Sequence, residues 1–258
     1  MGKTHLITVA FCRGEPLRQM LEKFIQTYPP DSGKNWLPHI TIVDAHYPLS
    51  NERIGSTIRE VAIDYGCNYL NPGQDLGSAQ SQNWAVKELG LTEDDLWINL
   101  DPDSACTMPG WIEALEDVMA ADKLCAIASL TNPVVWERFR FLECRIEERT
   151  IGGHRVGVPL TEQQWNMSCY RVSALNTVGS LLQGNAFYGD VEVPMYRAIR
   201  NFGWYNCYLL DFIEDYSLKV LEDKEFRLFK MAQAHNRKFD VKHFTGKFHE
   251  YCEEQGWI

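Results

Sequence analysis

The sequence predicts an α/β protein with a mostly parallel central sheet flanked by helices, and three observations carry that prediction. Short β-branched runs alternate with stretches of helical apolar spacing, four times in roughly the first 130 residues. Two strand-like runs, His39-Ile40-Thr41-Ile42-Val43-Asp44 and Leu96-Trp97-Ile98-Asn99-Leu100-Asp101, end in an acid. The second continues into Pro102-Asp103-Ser104, so two carboxylates one residue apart fall where open α/β sheets place their ligands.

Composition narrows the classes. The chain has 258 residues, 45% hydrophobic and 23% charged, enough for one large domain. No repeat, low-complexity tract or linker divides it, so a single domain spanning 1–258 with two sub-regions is expected. No run of 18 apolar residues is present, so no membrane span is encoded. The first residues hold one lysine and then a strand-like run rather than a signal peptide, and a cytoplasmic location is expected. Eight cysteines are scattered without a C-x-x-C pair, which argues against a zinc ribbon or a disulfide framework. Cys125 and Cys207 lie in apolar runs and read as buried free thiols. A net charge of −10 disfavours broad electrostatic binding to nucleic acid.

The elements follow in order. Leu6-Ile7-Thr8-Val9-Ala10-Phe11 is the first strand. After Cys12-Arg13-Gly14-Glu15-Pro16, the spacing of Leu17, Met20, Leu21, Phe24 and Ile25 predicts a helix that stops near Pro29-Pro30. The second strand ends at Asp44. A helix over 53–65 carries Ile54, Ile58, Val61 and Ala62 on one face, and Cys67-Asn68-Tyr69-Leu70 is a third strand before Asn71-Pro72-Gly73. Small residues from Gly77 open the next helix; 96–100, 111–119 and 124–130 then read as strand, helix and strand. There is no G-x-x-x-x-G-K-[ST] and no convincing G-x-G-x-x-G, so this is not a typical P-loop or dinucleotide fold.

The second half is less regular. Residues 137–149 mix arginines and acids and read as an exposed helix or as a stretch that contacts phosphates, and Gly152-Gly153-His154 reads as a turn or mobile loop. Residues 165–172 are expected as an edge strand and 174–178 as a short helix. Phe187-Tyr188-Gly189-Asp190-Val191-Glu192 precedes a helix that runs through Asn201 and is ended by Gly203. The last clear strand, 204–210, leads into Asp211-Phe212-Ile213-Glu214-Asp215-Tyr216-Ser217, and 223–231 reads as helix.

The order of these pieces resembles the GT-A glycosyltransferases, and most of all the family-2-like inverting group. The resemblance covers residues 4–217 and is densest at Asn71-Pro72-Gly73, Leu76-Gly77-Ser78-Ala79-Gln80-Ser81-Gln82-Asn83, Asp101-Pro102-Asp103-Ser104 and Pro109-Gly110-Trp111. It implies a nucleotide-sugar-binding half over 1–130 and an irregular acceptor and base-supplying half over 131–258 with a C-terminal tail. Ala10 and Phe11 would line the base and ribose, and Asp44 would accept a hydrogen bond from the base, typically uracil. Gly77 and Ser78 would let backbone approach the nucleotide, and Asn83 would support the strand ends. Asp101 would meet the ribose or the metal through water, and Asp103 would ligate Mn²⁺ or Mg²⁺, which neutralises charge growing on the departing diphosphate.

Either Asp190 or Glu192 is then the general base that deprotonates the acceptor hydroxyl. Gly-Asp-Val-Glu departs from the group's usual Gly-Glu-Asp, with a narrow preference for Glu192. A histidine that the group often supplies as a further ligand is missing after 213, where Asp215 is the substitute, with His235 or His243 as alternatives. Trp136, Arg138, Arg140, Trp165 and Trp204 are candidates for an acceptor platform. The resemblance implies a nucleotide-diphospho-sugar donor, with UDP-sugars favoured, and an unidentified hydroxyl acceptor: glycan, small molecule, protein or nucleic acid base. A non-catalytic sugar-nucleotide-binding module and a nucleotidyltransferase are the competing readings.

Overall fold

The computed structural model describes residues 2–10, 14–31, 33–45, 52–74, 76–102, 104–131, 146–159, 167–180 and 192–215, with the backbone alone at 52–56, 192–194 and 196. Phe11, Asp103, Asp190, Trp136, Arg138, Arg140, Trp165, His235, His243 and the helix expected over 223–231 lie outside the described residues.

The elements are β1 (Thr4–Ala10), α1 (Gly14–Thr27), β2 (Ile40–Asp44), α2 (Glu52–Asp64), β3 (Asn68–Leu70), α3 (Gly77–Glu88), β4 (Leu96–Asn99), α4 (Trp111–Ala121), β5 (Cys125–Thr131), β6 (Ile146–Ile151), β7 (His154–Pro159), β8 (Ser168–Arg171), α5 (Val172–Val178), α6 (Glu192–Asn201) and β9 (Tyr205–Ile213). Among the described residues the strands form a nine-stranded sheet in the order β3-β2-β1-β4-β8-β5-β9-β7-β6.

The first four strands are parallel, with Ala10 opposite Asp44 and Ile7 opposite Asn99. β8 is antiparallel to both of its neighbours, β4 and β5, and β7 is antiparallel to β6 and β9, so the sheet is mixed. The expected edge strand over 165–172 is thus corrected: β8 is central, and all four of its residues are buried. Arg171 stands at its end. Its guanidinium is buried and donates to the carbonyls of Met119, Asp122 and Cys125 at the end of α4 and the start of β5. A cation on those carbonyls also suits the negative end of a helix.

The exposed helix expected over 137–149 is corrected where it is described, because 146–149 belong to β6. Gly152 and Gly153 close a tight β6–β7 hairpin with φ of +61° and +85°. Two consecutive positive φ values are what a two-residue hairpin turn of matching twist needs, and glycine supplies them without strain. Glu147, Glu148, Arg149 and Thr150 are exposed on β6, so this edge of the sheet is charged.

Alternating side chains of the sheet feed two apolar clusters. One gathers Leu6, Ile42 and Ile98 with Leu17, Met20 and Phe24 of α1, Ile58 of α2, and Trp111 and Leu115 of α4. The other gathers Ile7, Val43, Trp97 and Ile127 with Ala79 and Ala85 of α3, Leu175 of α5, and Met195 and Ile199 of α6. Burying each such large side chain contributes about 2 kcal/mol. α4 has no side-chain cap at Gly110, and the Tyr28 hydroxyl takes its place by accepting the Ile112 N–H at 2.9 Å.

Candidate functional site

The carboxyl edge of the parallel strands brings together most of the candidate residues that are described. Ala10 ends β1 beside Asp44, and the Ala45 N–H donates to the Ala10 carbonyl at 2.9 Å, prolonging the β1–β2 pairing past the last strand residue. Asp44 is 1% exposed, and its Oδ2 accepts from the Tyr69 hydroxyl at 2.7 Å and from Asn71 Nδ2 at 3.3 Å. Asn71 also donates to the Tyr69 oxygen at 3.2 Å and accepts the Gly73 N–H at 2.6 Å. A buried carboxylate is tolerable only with such partners. Burial first, and then the neighbouring Asp44, push the Tyr69 phenol up to about 12 against the opposing Asn71 amide, so it stays a donor to Asp44 at neutral pH.

β4 delivers the next acid. The Leu100 N–H donates to the Ile7 carbonyl at 2.8 Å, after which the Ser104 N–H closes a turn on the Asp101 carbonyl at 3.2 Å. Pro102 takes the second position of this turn, where its fixed φ fits. Asp101 is half-buried, and Asn99 Nδ2 donates to its Oδ1 at 3.3 Å. Ala105 and Asp215 then exchange backbone hydrogen bonds of 3.1 and 2.6 Å, tying the chain after the turn to the end of β9. The Asp215 carboxylate lies 2.7 Å from Lys23 Nζ of α1.

The helices converge on the same edge. α3 begins at Gly77, whose φ of +73° is a left-handed conformation that suits glycine, and Ser78 is half-buried beside it. Asn83 lies further along α3, and its amide donates to Gln80 Oε1 at 3.3 Å. α6 ends shortly before β9, which runs parallel to β5. The first residue of α6 is Glu192. Trp204 precedes β9 at the opposite edge and packs into the second apolar cluster, away from Asp101.

Tyr69, Asn71, Asn99 and Lys23 were not among the residues singled out from the sequence. Asn99 stands two positions before Asp101 and Lys23 is a half-buried cation on α1, whereas Tyr69 and Asn71 lie on and just after β3, 25 and 27 residues from the acid they bind. Among the described residues no group of three His, Cys, Asp or Glu side chains forms a metal site. The donors at this edge are nevertheless carboxylates, the chemistry that hard divalent cations take. Burial pushes the Cys106 thiol up to about 11, so it is protonated at neutral pH.

No protein-family model matches the chain, and no curated protein matches it in sequence. Solved structures do resemble it. GalNAc-T7 with UDP, GalNAc and Mn²⁺ matches with a TM-score of 0.60 at 12% identity, over 99% of this chain and 56% of that one. A mannosyltransferase from Pyrobaculum calidifontis in complex with GDP-Man and Mn²⁺ matches with a TM-score of 0.59 at 12% identity, over 95% of this chain and 69% of that one. TarS 1–349 of S. aureus in complex with UDP-GlcNAc matches with a TM-score of 0.51 at 12% identity, over 95% and 69%. The chain thus spans little more than half the length of the first of these proteins. A mixed sheet with helices on both faces, opening its parallel carboxyl edge to Asp44, Asp101 and the start of α3, is the GT-A fold of these glycosyltransferases.

Proposed function

We propose that the protein is a glycosyltransferase that moves a sugar from a nucleotide-diphospho-sugar to an acceptor hydroxyl with inversion, with UDP-sugars favoured as donors. The observation that carries this reading is the convergence of Ala10, Asp44, Asp101 and Gly77 on one sheet edge in a GT-A fold. Asp44, held as an acceptor by Tyr69 and Asn71, takes an N–H of the base, and Ala10, Phe11 and Ser78 line the nucleotide. Gly77 leaves room for close backbone approach. Asp101 and Asp103 hold Mn²⁺ or Mg²⁺ with Asp215 as the further candidate, and the cation supplies charge neutralisation on the leaving diphosphate. Glu192 or Asp190 takes the proton of the acceptor hydroxyl as its oxygen attacks the anomeric carbon. Asn83 steadies the start of α3 and its approach to the strand ends.

A thermal-shift series with UDP-, GDP- and TDP-sugars, with and without Mn²⁺, tests the donor reading. A metal-dependent rise in Tm with one nucleotide, lost in Asp103→Ala, is expected; equal curves under all conditions would sink it. The ion pair of Asp215 with Lys23 favours a second reading, a sugar-nucleotide-binding module without turnover, because that carboxylate is already engaged. Donor hydrolysis that disappears in Glu192→Gln or Asp190→Asn would rule the module out.

A further inference from the structure

At the last position of β4 the chain places an amide after Leu96, Trp97 and Ile98, three buried apolar residues. Asn99 is 8% exposed, and its Nδ2 donates to Asp101 Oδ1 at 3.3 Å. It lies opposite Ser168 across β4 and β8, and Ser168 lies opposite Ser129 across β8 and β5. The two serine hydroxyls are 2.7 Å apart, and both residues are fully buried. Cross-strand partners share a face, so Asn99, Ser168 and Ser129 form one polar row over three adjacent strands, directly beneath the Asp101 turn. Burying polar groups is unfavourable unless they are bonded. An all-apolar row would serve the sheet equally well and would leave Asp101 without its amide partner.

We infer that Asn99 is a positioning residue, which occupies Asp101 Oδ1 so that this carboxylate meets a divalent cation, or its water shell, through the other oxygen alone. This rests on the donor-and-cation reading above. Ca²⁺ accepts two-oxygen carboxylates in a loose shell, whereas Mg²⁺ and Mn²⁺ favour a near-octahedral one. The amide therefore biases the site toward the smaller ions as well as fixing the carboxylate.

The test uses the full chain in the presence of UDP and reads free Mn²⁺ by electron paramagnetic resonance, with Ca²⁺ as competitor. Asn99→Leu removes the amide at similar volume, and Asn99→Ser removes it with a residue type that the row already contains. Loss of such an outer partner of a metal ligand lowers affinity by about tenfold or more, so both variants should bind Mn²⁺ about that much more weakly and discriminate less against Ca²⁺. A folded Asn99→Leu with wild-type Mn²⁺ affinity and wild-type Ca²⁺ competition overturns the inference. Should the leucine variant not fold, an unchanged Mn²⁺-to-Ca²⁺ ratio in Asn99→Ser overturns it equally. If wild type and Asp101→Asn bind Mn²⁺ alike, the donor-and-cation reading itself fails, and the role of Asn99 falls with it.

Discussion

The parallel block β3-β2-β1-β4 and the block β8-β5-β9-β7-β6 solve the same problem in different ways. In the first, α1 and α2 each bring the next strand alongside its predecessor, α3 carries the chain back to set β4 beside β1, and the strand ends fall in register, with Ala10 beside Asp44. In the second, β8 comes from late in the chain and slots in antiparallel between β4 and β5, which are much earlier. Local pattern suffices for one block. Non-local partners, above all the buried Arg171, hold the other. Under the proposed function, the nucleotide side of the candidate site would belong to the first block and the acceptor side would depend on the second.

The largest expected effect falls on the strand-end acids. Asp101→Ala or Asp103→Ala should lower donor turnover about 10²- to 10³-fold, because each removes charge stabilisation of the leaving diphosphate; a variant within tenfold of wild type in a donor hydrolysis assay would detach chemistry from this edge. Arg171→Met comes next. It leaves the carbonyls of Met119, Asp122 and Cys125 without their donor and should cost about 3 kcal/mol in urea unfolding. A cost near zero would mean that the second block does not hang on this clamp.

Gly152→Ala should destabilise by about 2 kcal/mol, since a Cβ there would stand 2.6 Å from the Asp117 carbonyl oxygen at a φ of +61°. Gly153→Ala has open space and should cost about half as much. Equal thermal melts for the two variants would show that the hairpin does not press on α4. Tyr69→Phe should weaken UDP binding about fivefold and cost about 1 kcal/mol of stability, because it removes a donor from the buried Asp44; titration calorimetry reads the affinity, and unchanged affinity would free Asp44 from dependence on β3.

The smallest effect concerns His5 in β1. Burial lowers its pKa from 6.5, with Lys3 and His39 adding to the shift and Asp95 opposing it. The folded chain then binds fewer protons than the unfolded one just below pH 6.5, so stability is complete above that pH and declines as pH falls toward the folded value. His5→Gln should flatten the slope of Tm against pH in that window, and an unaltered slope would assign it to other groups.

Legibility follows the same division. The helices α1 to α4 and the strands β1 to β5 lie within a few residues of the positions that periodicity predicts, because each is short, bounded by turn residues and patterned on one face. Asp101-Pro102 was readable as a strand end running into a turn, since an apolar run, an acid and a proline leave few alternatives. The start of β6 was read as exposed helix because 137–149 mix arginines and acids, and Glu147, Glu148, Arg149 and Thr150 carry no alternation to mark a strand: an edge strand exposed to water needs none. β8 is central rather than the expected edge, and the burial site for its Arg171 exists only once the end of α4 is there to receive it. Trp204 was a candidate platform by residue type alone, and its place at the far edge of β9 is a matter of strand direction.

The amino-acid sequence by itself determined the α/β class, the strand that ends in Asp44, the strand that ends in Asp101 and the helix that opens at Gly77, because periodicity, glycine and proline act over a few residues. Only the tertiary structure decided the mixed sheet, the burial of Asp44 beneath Tyr69 and Asn71, the polar row from Asn99 to Ser129, and the pairing of Lys23 with Asp215. Each of these joins groups separated by tens of residues or more, and whether a polar side chain is buried against a partner or left in water depends on which surface the rest of the chain brings against it.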